Sequence, residues 1–331
     1  MSAAQDNAER PRGKRPARSM AGFSRLAIPL IAIVAILVVG EALSPGFAAP
    51  RQVFNQLTVA SFLGLVVIGQ TLVILAGGEG IDLSVGAAVS LGALVAGNVM
   101  NGSDAMILPA LAASALTGAA IGLVNGIGVT RLRIPALVMT LGSTGVITGI
   151  LILMTNGKTS GRSAELLSQM VAPPLLFGIS GIVYLWILVG ALATFVLHKS
   201  RFGYSLVAVG ANEQAAAMVG LSVPWIRLAA YVGCSSVSAL AGFFLIGYTG
   251  SVFVSIGNQF VLTSIIAVVI GGTALSGGSG GFVGGALGAV VLTLLQSVLI
   301  PLNVAEFGRQ MIFGLTLIAF MVLYGREPKS T

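Results

Sequence analysis

Two carboxylates stand in a glycine-rich break within "ILAGGEGIDLSVGAAVSLGALVAG", which covers residues 74–97. Glu79 and Asp82 lie between two stretches that are each apolar enough to cross a membrane. Charge in such surroundings is costly and marks a partner or a use. Two uses fit Asp82: it can cap the helix that begins near Ser84, or it can hydrogen-bond the hydroxyl groups of a solute in a transport path.

The capping interpretation of Asp82 is favoured. Asp82 precedes Ser84 by two residues, so its oxygens can accept from first-turn N–H groups, and its charge suits the positive end of a helix. Three nearby glycines interrupt the helical run and free backbone groups that need partners. Because broken helices often lie at solute sites in transporters, the second interpretation stays open. Glu79 is predicted to be a solvated or arginine-paired loop residue.

The other polar residues inside the apolar segments are neutral. Ion-coupled transporters usually keep ionisable groups within their spans, and this chain has almost none there. A neutral lining suits a neutral polar solute such as a sugar, and uphill transport would then need energy from another subunit. The candidate residues of the translocation path are Gln70, Asp82, Ser84, Asn125, Thr140 and Gln296.

Several enzyme classes lack their motifs in this sequence. "NGKT" ends like a phosphate-binding loop, but Ile152 stands where that motif needs glycine. "GGSGGFVGG" lacks the GxGxxG spacing of a dinucleotide site. The single histidine, His198, ends an apolar run beside Lys199, and no HExxH or Cys/His cluster exists to hold a metal. The single Cys234 excludes an internal disulfide. The sequence therefore predicts neither an enzyme nor a metal site.

Composition indicates which elements must position these residues. Of 331 residues, 56% are hydrophobic and only 8% are charged, whereas a soluble domain has about 25% charged residues. Such a chain cannot cover a water-exposed surface, so most of it must face lipid. At about 20 apolar residues per crossing, we expect an all-α, polytopic transmembrane helical bundle with about ten spans. The predicted spans are 26–44, 57–76, 84–100, 106–128, 135–154, 180–197, 227–249, 261–276, 283–300 and 308–324.

The basic residues predict the orientation of the bundle. With strict alternation of sides, thirteen of the 17 Lys and Arg residues share the side of the basic N-terminal tail, and four lie opposite. Positive charge favours the cytoplasm, so both termini are predicted to be cytoplasmic. The expected organisation is a tail over 1–25, a transmembrane domain over 26–325 with a long cytoplasmic loop over 199–226, and a second tail over 326–331. An outer connection over 156–180 is expected to hold a short helix near 164–171.

The cytoplasmic loop contains the signals of one short helix. Asn212 suits the N-cap, Glu213 suits the first turn, alanines follow, and Gly220 suits the stop. A helix of about two turns is not stable alone in water. It therefore needs a partner, either the rest of this chain or the groove of another protein.

Four ordered blocks of the sequence resemble the permease subunits of bacterial ribose-type ABC importers. "GIDLSVG" at 80–86 is close to the family's GGIDLSVG signature, and "GGTALSGGSGG" at 271–281 is similar to its GGTSLSGGxG block. "NGIGVTRLRIPALVMTLGS" at 125–143 is similar to its NG…IPxFxxTLG region. "GANEQAAAMVGL" at 210–221 resembles its coupling-loop pattern GxNxxAAxxxGI. The resemblance runs from about residue 57 to the end of the chain.

The resemblance implies a permease that moves a sugar or related neutral polar solute across the inner membrane. It implies cytoplasmic ABC ATPase subunits, a periplasmic solute-binding protein and a second permease subunit, identical or different, within membrane lipid and without nucleic acid. ATP and Mg would bind to the ATPase, which leaves this chain without a cofactor and without enzymatic activity. The residues implied in ATPase coupling are Gly210, Asn212, Glu213, Gln214, Ala215, Ala216 and Gly220.

Three positions depart from the family's pattern, and the first is Glu79, which the stretch "GGEG" adds where the family has plain GG. Met218 stands where members commonly have a basic residue, and Gln296 stands where Asn is frequent. An ion-coupled secondary transporter is the alternative function. It would take up solute in liposomes by an ion gradient alone, without an ATPase.

Overall fold

The structure is a computed structural model that describes residues 20–325. Within this range the regular structure is helical, with one 3₁₀ turn at Asp104–Met106 and no strand beyond two isolated β-bridges. The two tails predicted at the ends of the chain lie mostly outside the described residues. The helices are α1 (Met20–Leu43), α2 (Pro50–Leu75), α3 (Val85–Met100), α4 (Ile107–Thr130), α5 (Ala136–Thr155), α6 (Glu165–Val171), α7 (Gly181–Lys199), α8 (Arg201–Ala211), α9 (Glu213–Met218), α10 (Val223–Thr249), α11 (Gln259–Ile270), α12 (Phe282–Leu299) and α13 (Glu306–Gly325).

One helix corresponds to each predicted span, but α2 begins at Pro50, before the predicted 57, and other bounds also differ. α1 begins at Met20, inside the predicted tail, and α11 ends at Ile270, short of the predicted 276. The loop over 199–226 holds two helices rather than one. The missed helix, α8, buries Leu206 and Val209 on one face. Two apolar residues three positions apart are too short a pattern to indicate a helix in the sequence. The predicted outer helix is confirmed as α6.

Helix length separates the spans into two groups. Seven helices within residues 20–325, namely α1, α2, α4, α5, α7, α10 and α12, are long and apolar enough to cross a membrane. The apolar helices α3 and α11 have only 16 and 12 residues. At 1.5 Å per residue they reach about 24 and 18 Å, less than the roughly 30 Å of a hydrocarbon core. By helix length and apolar composition together, therefore, seven spans are supported rather than ten.

The outer surface of the bundle is apolar. Leu153 is 80% exposed, Leu108 74% and Leu188 67%, and many other large apolar side chains are similarly exposed. In water such a surface would drive association or aggregation. In lipid it needs no cover, so the helices present their apolar faces outward and bury small and polar residues inside.

Glycines allow the central helix α10 to pack closely against its neighbours. A Cβ added at Gly92 of α3 would lie 2.5 Å from the carbonyl oxygen of Ala239, and one added at Gly242 would clash with the carbonyl oxygen of Val89. Gly118 on α4 likewise contacts the α10 backbone. Such small residues let helices approach where lipid gives no hydrophobic drive for association. α10 is thereby fixed against α3 and α4 and also packs on α2, and these helices carry Gln70 and Asn125 of the predicted path residues.

The bundle contains two units with the same helix order and opposite orientation. α2–α5 and α10–α13 each consist of one long helix, one short helix and two longer ones, and α2 runs antiparallel to α10. The short helices meet at matching positions: a Cβ on Gly86 would lie 2.7 Å from the carbonyl oxygen of Gly257, and one on Gly257 would clash with the carbonyl oxygen of Gly86. Inverted repeats of this kind place broken helices near the middle of a transporter.

We predict that Gly242→Ala lowers stability while Gly314→Ala does not. The added methyl at Gly242 meets the Val89 backbone, whereas no atom lies within 4 Å of the Cβ position at Gly314. Overpacking of this kind costs about 1–3 kcal/mol. The midpoint of unfolding in a sodium dodecyl sulfate titration of mixed micelles measures both variants. Equal midpoints for Gly242→Ala and the unaltered chain would contradict the packing described here.

Candidate functional site

The α2–α3 connection, residues 76–84, turns back into the bundle. Gly77, Gly78 and Glu79 have positive φ angles of 67°, 64° and 56°, a region that glycine adopts readily and glutamate rarely. The turn brings Asp82 to Ser235, close to the middle of α10. The polar connection therefore ends at mid-depth in the bundle, where α3 begins.

The Asp82 carboxylate has no exposed surface and three hydrogen bonds. One oxygen accepts from the backbone N–H of Ser84 at 2.8 Å and from its hydroxyl at 2.6 Å. The other oxygen accepts from the Ser235 hydroxyl at 3.2 Å. A buried carboxylate persists only when its oxygens are partnered in this way.

A directional chain of hydrogen bonds extends from Asp82 to α5. The Ser84 hydroxyl donates to Asp82 and accepts from the amide nitrogen of Asn125 at 2.8 Å. The Asn125 carbonyl oxygen in turn accepts from the Ser143 hydroxyl. Ser84 and Asn125 are fully buried, and Ser143 is half-buried. The network thus has one end near the α5 surface.

Side chains also hold the backbone on either side of Asp82. With its amide oriented to satisfy both groups, Gln70 donates to the Asp82 carbonyl oxygen at 3.1 Å and accepts from the Asp82 N–H at 3.3 Å. The hydroxyls of Thr140 and Thr144 lie 3.4 and 3.2 Å from the carbonyl oxygens of Ile81 and Leu83. These contacts satisfy backbone groups that a broken helix leaves without partners.

Five of the six predicted path residues meet in this network. Gln70, Asp82, Ser84, Asn125 and Thr140 are connected through the α2–α3 connection. The sixth, Gln296, lies half-buried on α12 and is not part of the network. Because its carboxylate accepts from the Ser84 N–H two residues on and from two hydroxyls, the geometry supports the local turn-capping role of Asp82.

Glu79 differs from Asp82 in its surroundings. It is exposed, which agrees with the predicted solvated position. The nearby guanidinium of Arg227 approaches Gly78 and pairs with Glu213 instead. The two acids of the break therefore have separate roles, one structural and buried, the other solvated.

The short helix predicted to begin after Asn212 and to stop at Gly220 is confirmed as α9, with both of its predicted ends. The Asn212 side chain accepts from the Ala215 N–H at 2.9 Å. At the other end Gly220 has a φ of 85°, its N–H donates to Ala217, and the N–H of Leu221 donates to Ala216. This pair of bonds is a Schellman motif, for which glycine is the usual residue.

α9 presents two different faces. Ala216 is buried against Val209 and Val223 and anchors α9 to its own chain. Gln214, Ala215 and Ala217 are exposed, and Met218 is 82% exposed. The exposed face therefore combines the polar Gln214 with alanines and Met218, and no other described residue covers it.

Arg227 connects α9 to the α2–α3 connection. Its guanidinium pairs with Glu213 at 2.7 Å, and its Nε donates to the carbonyl oxygen of Ala76 at 3.4 Å. The Arg227 side chain is only 17% exposed. One residue thus contacts both the first turn of α9 and the end of α2.

Three glycine segments meet beside this ion pair, and we call the cluster the glycine junction. A Cβ on Gly77 would lie 2.9 Å from the Cα of Gly210, and a Cβ on Gly277 would lie 2.5 Å from the Cα of Gly77. The N–H of Gly278 donates to the Leu75 carbonyl oxygen at 3.1 Å. The α2 end, the α8 end and the α11–α12 connection therefore touch backbone to backbone.

Sequence reasoning missed Arg227, Ser235 and Thr144. Arg227 was treated only as a positive charge for orientation, since nothing in the sequence pairs it with Glu213, fourteen residues away. Ser235 lies in the small polar run "CSS" within an otherwise apolar span. That run is the one signal that could have placed it in the network.

We predict that Asp82→Ala lowers stability and that Glu79→Asn does not. Alanine at 82 leaves the buried donors of Ser84 and Ser235 without an acceptor, and each such group costs about 1–3 kcal/mol. Asparagine at 79 tolerates the positive φ better than glutamate. Thermal unfolding in detergent measures both variants. An Asp82→Ala variant as stable as Glu79→Asn would show that the hydrogen-bonded network is not needed for the fold.

Comparison with known proteins identifies the family. A family model described as "Branched-chain amino acid transport system / permease component" matches residues 52–321. The autoinducer 2 import system permease protein LsrC of Escherichia coli O9:H4 (strain HS) is 35% identical over 298 residues, 90% of this chain and 86% of the relative. LsrC of Shigella flexneri is 36% identical over 298 residues with the same coverage, 90% and 86%. LsrC of Salmonella paratyphi B (strain ATCC BAA-1250 / SPB7) is 34% identical over 303 residues, 92% of this chain and 86% of the relative.

No solved structure matches the chain. The relatives are permease components of importers rather than enzymes, and they do not favour the ion-coupled alternative. The ordered glycine blocks, the buried polar connection and the helical, apolar-surfaced bundle agree with these matches. The chain therefore belongs to the sugar-type family of ABC importer permeases, multi-pass proteins of the inner membrane.

Proposed function

We propose that this chain is the transmembrane subunit of an ATP-driven importer for a sugar or related neutral polar solute. In this proposal a separate cytoplasmic ATPase changes conformation and moves α9, and α9 transmits this movement to the polar network around Asp82. The observation that carries the proposal is the Arg227 side chain, which contacts both Glu213 of α9 and Ala76 of the α2–α3 connection.

The proposed topology has ten spans with both termini in the cytoplasm. α3, α11 and α13 would be the three further spans, in addition to the seven long apolar helices. The short helices would cross the membrane together with their extended neighbours, since non-helical backbone is tolerated where protein buries it. The buried contacts of Asp82 with Gln70 and Ser235 provide such cover. The excess of basic residues on one side supports the orientation.

The proposed coupling runs through backbone contact. Gln214, Ala217 and Met218 would contact the ATPase, because they form the exposed face of α9. Gly210 would transmit the movement at the glycine junction, where it touches Gly77. The exposed Ala215 would add to this contact, whereas Asn212, Ala216 and Gly220 would shape and seat the helix.

The proposed solute path lies along α5. Ser143 and Thr144 are the half-buried end of the polar network. Gly142 and Gly145 beside them have no atom within 4 Å of their Cβ positions, so this face is open in the single chain. A second permease subunit, identical or different, would close the path opposite α5. Asp82 would then position Ser84 and Asn125 instead of binding solute itself.

The remaining partners follow from the proposed role. A periplasmic binding protein would deliver the solute, ATP and Mg would bind to the ATPase, and this chain would hold no cofactor. The relatives' name, autoinducer 2 import system permease, supports a role in import, and we propose a small neutral solute that carries hydroxyl groups. Neutral hydroxyl and amide groups at Ser143 and Asn125 suit such a molecule.

Cysteine labelling tests the proposed topology. In a Cys234→Ser background we expect Phe177→Cys to react with a membrane-impermeant maleimide applied from the periplasmic side, and Met218→Cys to react only after the membrane is opened. Both side chains are highly exposed, at 89% and 82%. The side of the membrane on which each residue lies therefore decides whether the maleimide can reach it. Labelling of Met218→Cys from the periplasm would refute the proposed orientation.

Reversal of the Glu213–Arg227 ion pair tests the coupling. We expect Glu213→Arg and Arg227→Glu each to reduce solute-stimulated ATP hydrolysis, and the double variant to recover part of it. Since Glu213 is 53% exposed, the pair is worth about 1 kcal/mol at most, a factor of about five. A charge at Ala216 would be a poorer test, because its buried side chain seats α9.

The Glu306–Arg309 ion pair on α13 supplies a matched control. It joins an exposed glutamate and a mostly buried arginine, as the α9 pair does, but it is remote in sequence from α9. Its reversal should leave stimulated ATP hydrolysis unchanged. If reversal of either pair had the same effect, the loss would reflect general damage and the coupling role of Arg227 would be wrong.

A further inference from the structure

An open groove runs along the outside of the bundle between α7, α2 and α12. Its volume is about 560 Å³, and its walls are almost wholly apolar. Trp186 and Phe195 of α7 form one wall, and Ile68 and Ala286 form the other. Gly190 lies between them and has no atom within 4 Å of its Cβ position. The groove therefore has the shape and surface to hold a flexible apolar chain.

One end of this groove is positively charged. His198 and Lys199, the last two residues of α7, line it and are exposed. The His198 Nδ1 lies 2.9 Å from the carbonyl oxygen of Thr194, which fixes the orientation of the ring at this end of the groove. Lys199 has no ion pair with any residue between 20 and 325. Its charge is thus free for a ligand among the described residues.

The first turn of α12 adds to the same end of the groove. Phe282 and Val283, its first residues, line the groove, and the N-cap position Gly281 would place a Cβ 3.9 Å from the His198 ring. α12 has 18 residues, no side-chain cap and no acid in its first turn. Its free N–H groups and positive dipole end therefore face the region of Lys199 and favour an anion.

We propose that this groove binds an anionic glycerophospholipid of the inner leaflet. Its phosphate would lie at Lys199, His198 and the start of α12, and one acyl chain would lie along Trp186, Gly190 and Ile68. A zwitterionic lipid would bring its own cation against Lys199, so the charge selects an anionic headgroup. Basic pockets between transmembrane helices on the cytoplasmic side suit such headgroups. The placement in the inner leaflet rests on the topology of the proposed function.

A lipid titration of the purified full-length chain tests this site. Native mass spectrometry in a non-ionic detergent would compare phosphatidylglycerol with phosphatidylethanolamine of identical acyl chains. We expect phosphatidylglycerol to bind more tightly, and Lys199→Gln to reduce that preference by about fivefold. Gly190→Leu should weaken both lipids, because its side chain occupies the groove.

Two matched variants control for general effects. Arg133→Gln removes another exposed basic residue outside the groove, and Gly314→Leu adds a side chain at another open glycine. Both should bind the lipids as the unaltered chain does. Equal binding of the two lipids, or an equal loss in Arg133→Gln, would overturn the proposal. Full displacement by inorganic phosphate would show a site for free anions and would overturn it as well.

These outcomes are separable from failure of the proposed function. Reversed labelling of Phe177→Cys and Met218→Cys would reject the topology, and with it the placement in the inner leaflet. Loss of lipid preference in a chain that labels normally and stimulates ATP hydrolysis normally would reject the lipid site alone.

Discussion

The glycine junction is the contact on which the rest of this structure depends. Gly77, Gly210 and Gly277 bring three chain segments so close that a side chain at any of them would meet backbone. Contacts between backbones cannot slide or change rotamer as side chains do, so the junction leaves little freedom between its parts. In the proposed cycle, movement of α8 and α9 would therefore carry the end of α2 and the α11–α12 connection with it.

The junction matters because of what lies directly beyond it. The α2–α3 connection leads within a few residues to Asp82, which accepts hydrogen bonds from the start of α3 and from α10. The same network continues through Ser84 to α4 and α5. No water is available in lipid to replace a broken hydrogen bond. A buried network in which one polar group lacks a partner is therefore destabilising. In the proposed cycle the intact network would belong to a closed state of the path, and movement of α9 would open that path. Arg227 reinforces this connection by an ion pair at one end and a backbone contact at the other.

Much of the architecture could be predicted from the sequence, because lipid imposes simple rules. Composition and apolar runs predicted an all-helical membrane protein, and cap signals placed Asn212 and Gly220 correctly at the ends of α9. Five residues of the buried polar network could be singled out because polar groups within apolar spans are rare and conspicuous. Gln296 has the same character but lies outside the network, since sequence cannot tell which face of a helix is turned toward a partner.

Other features depended on tertiary contacts that no local pattern carries. α3 and α11 are too short to span alone, and their length is set by where the two inverted units meet, at Gly86 and Gly257. The partnership of Arg227 with Glu213 needs the fold that brings α9 against α10. The meeting of the glycine blocks likewise required three distant segments to converge, although each block was visible in the sequence.

The central claim is that α9 and the α2–α3 connection move as one unit. Spin labels at Met218 and Glu79, both exposed, would report the distance between them by pulsed electron resonance in the complex with its ATPase, before and after trapping with ATP and vanadate. The account predicts that this distance stays constant while the distance from Met218 to an outer label at Phe177 changes. A change in the Met218–Glu79 distance on trapping would contradict it.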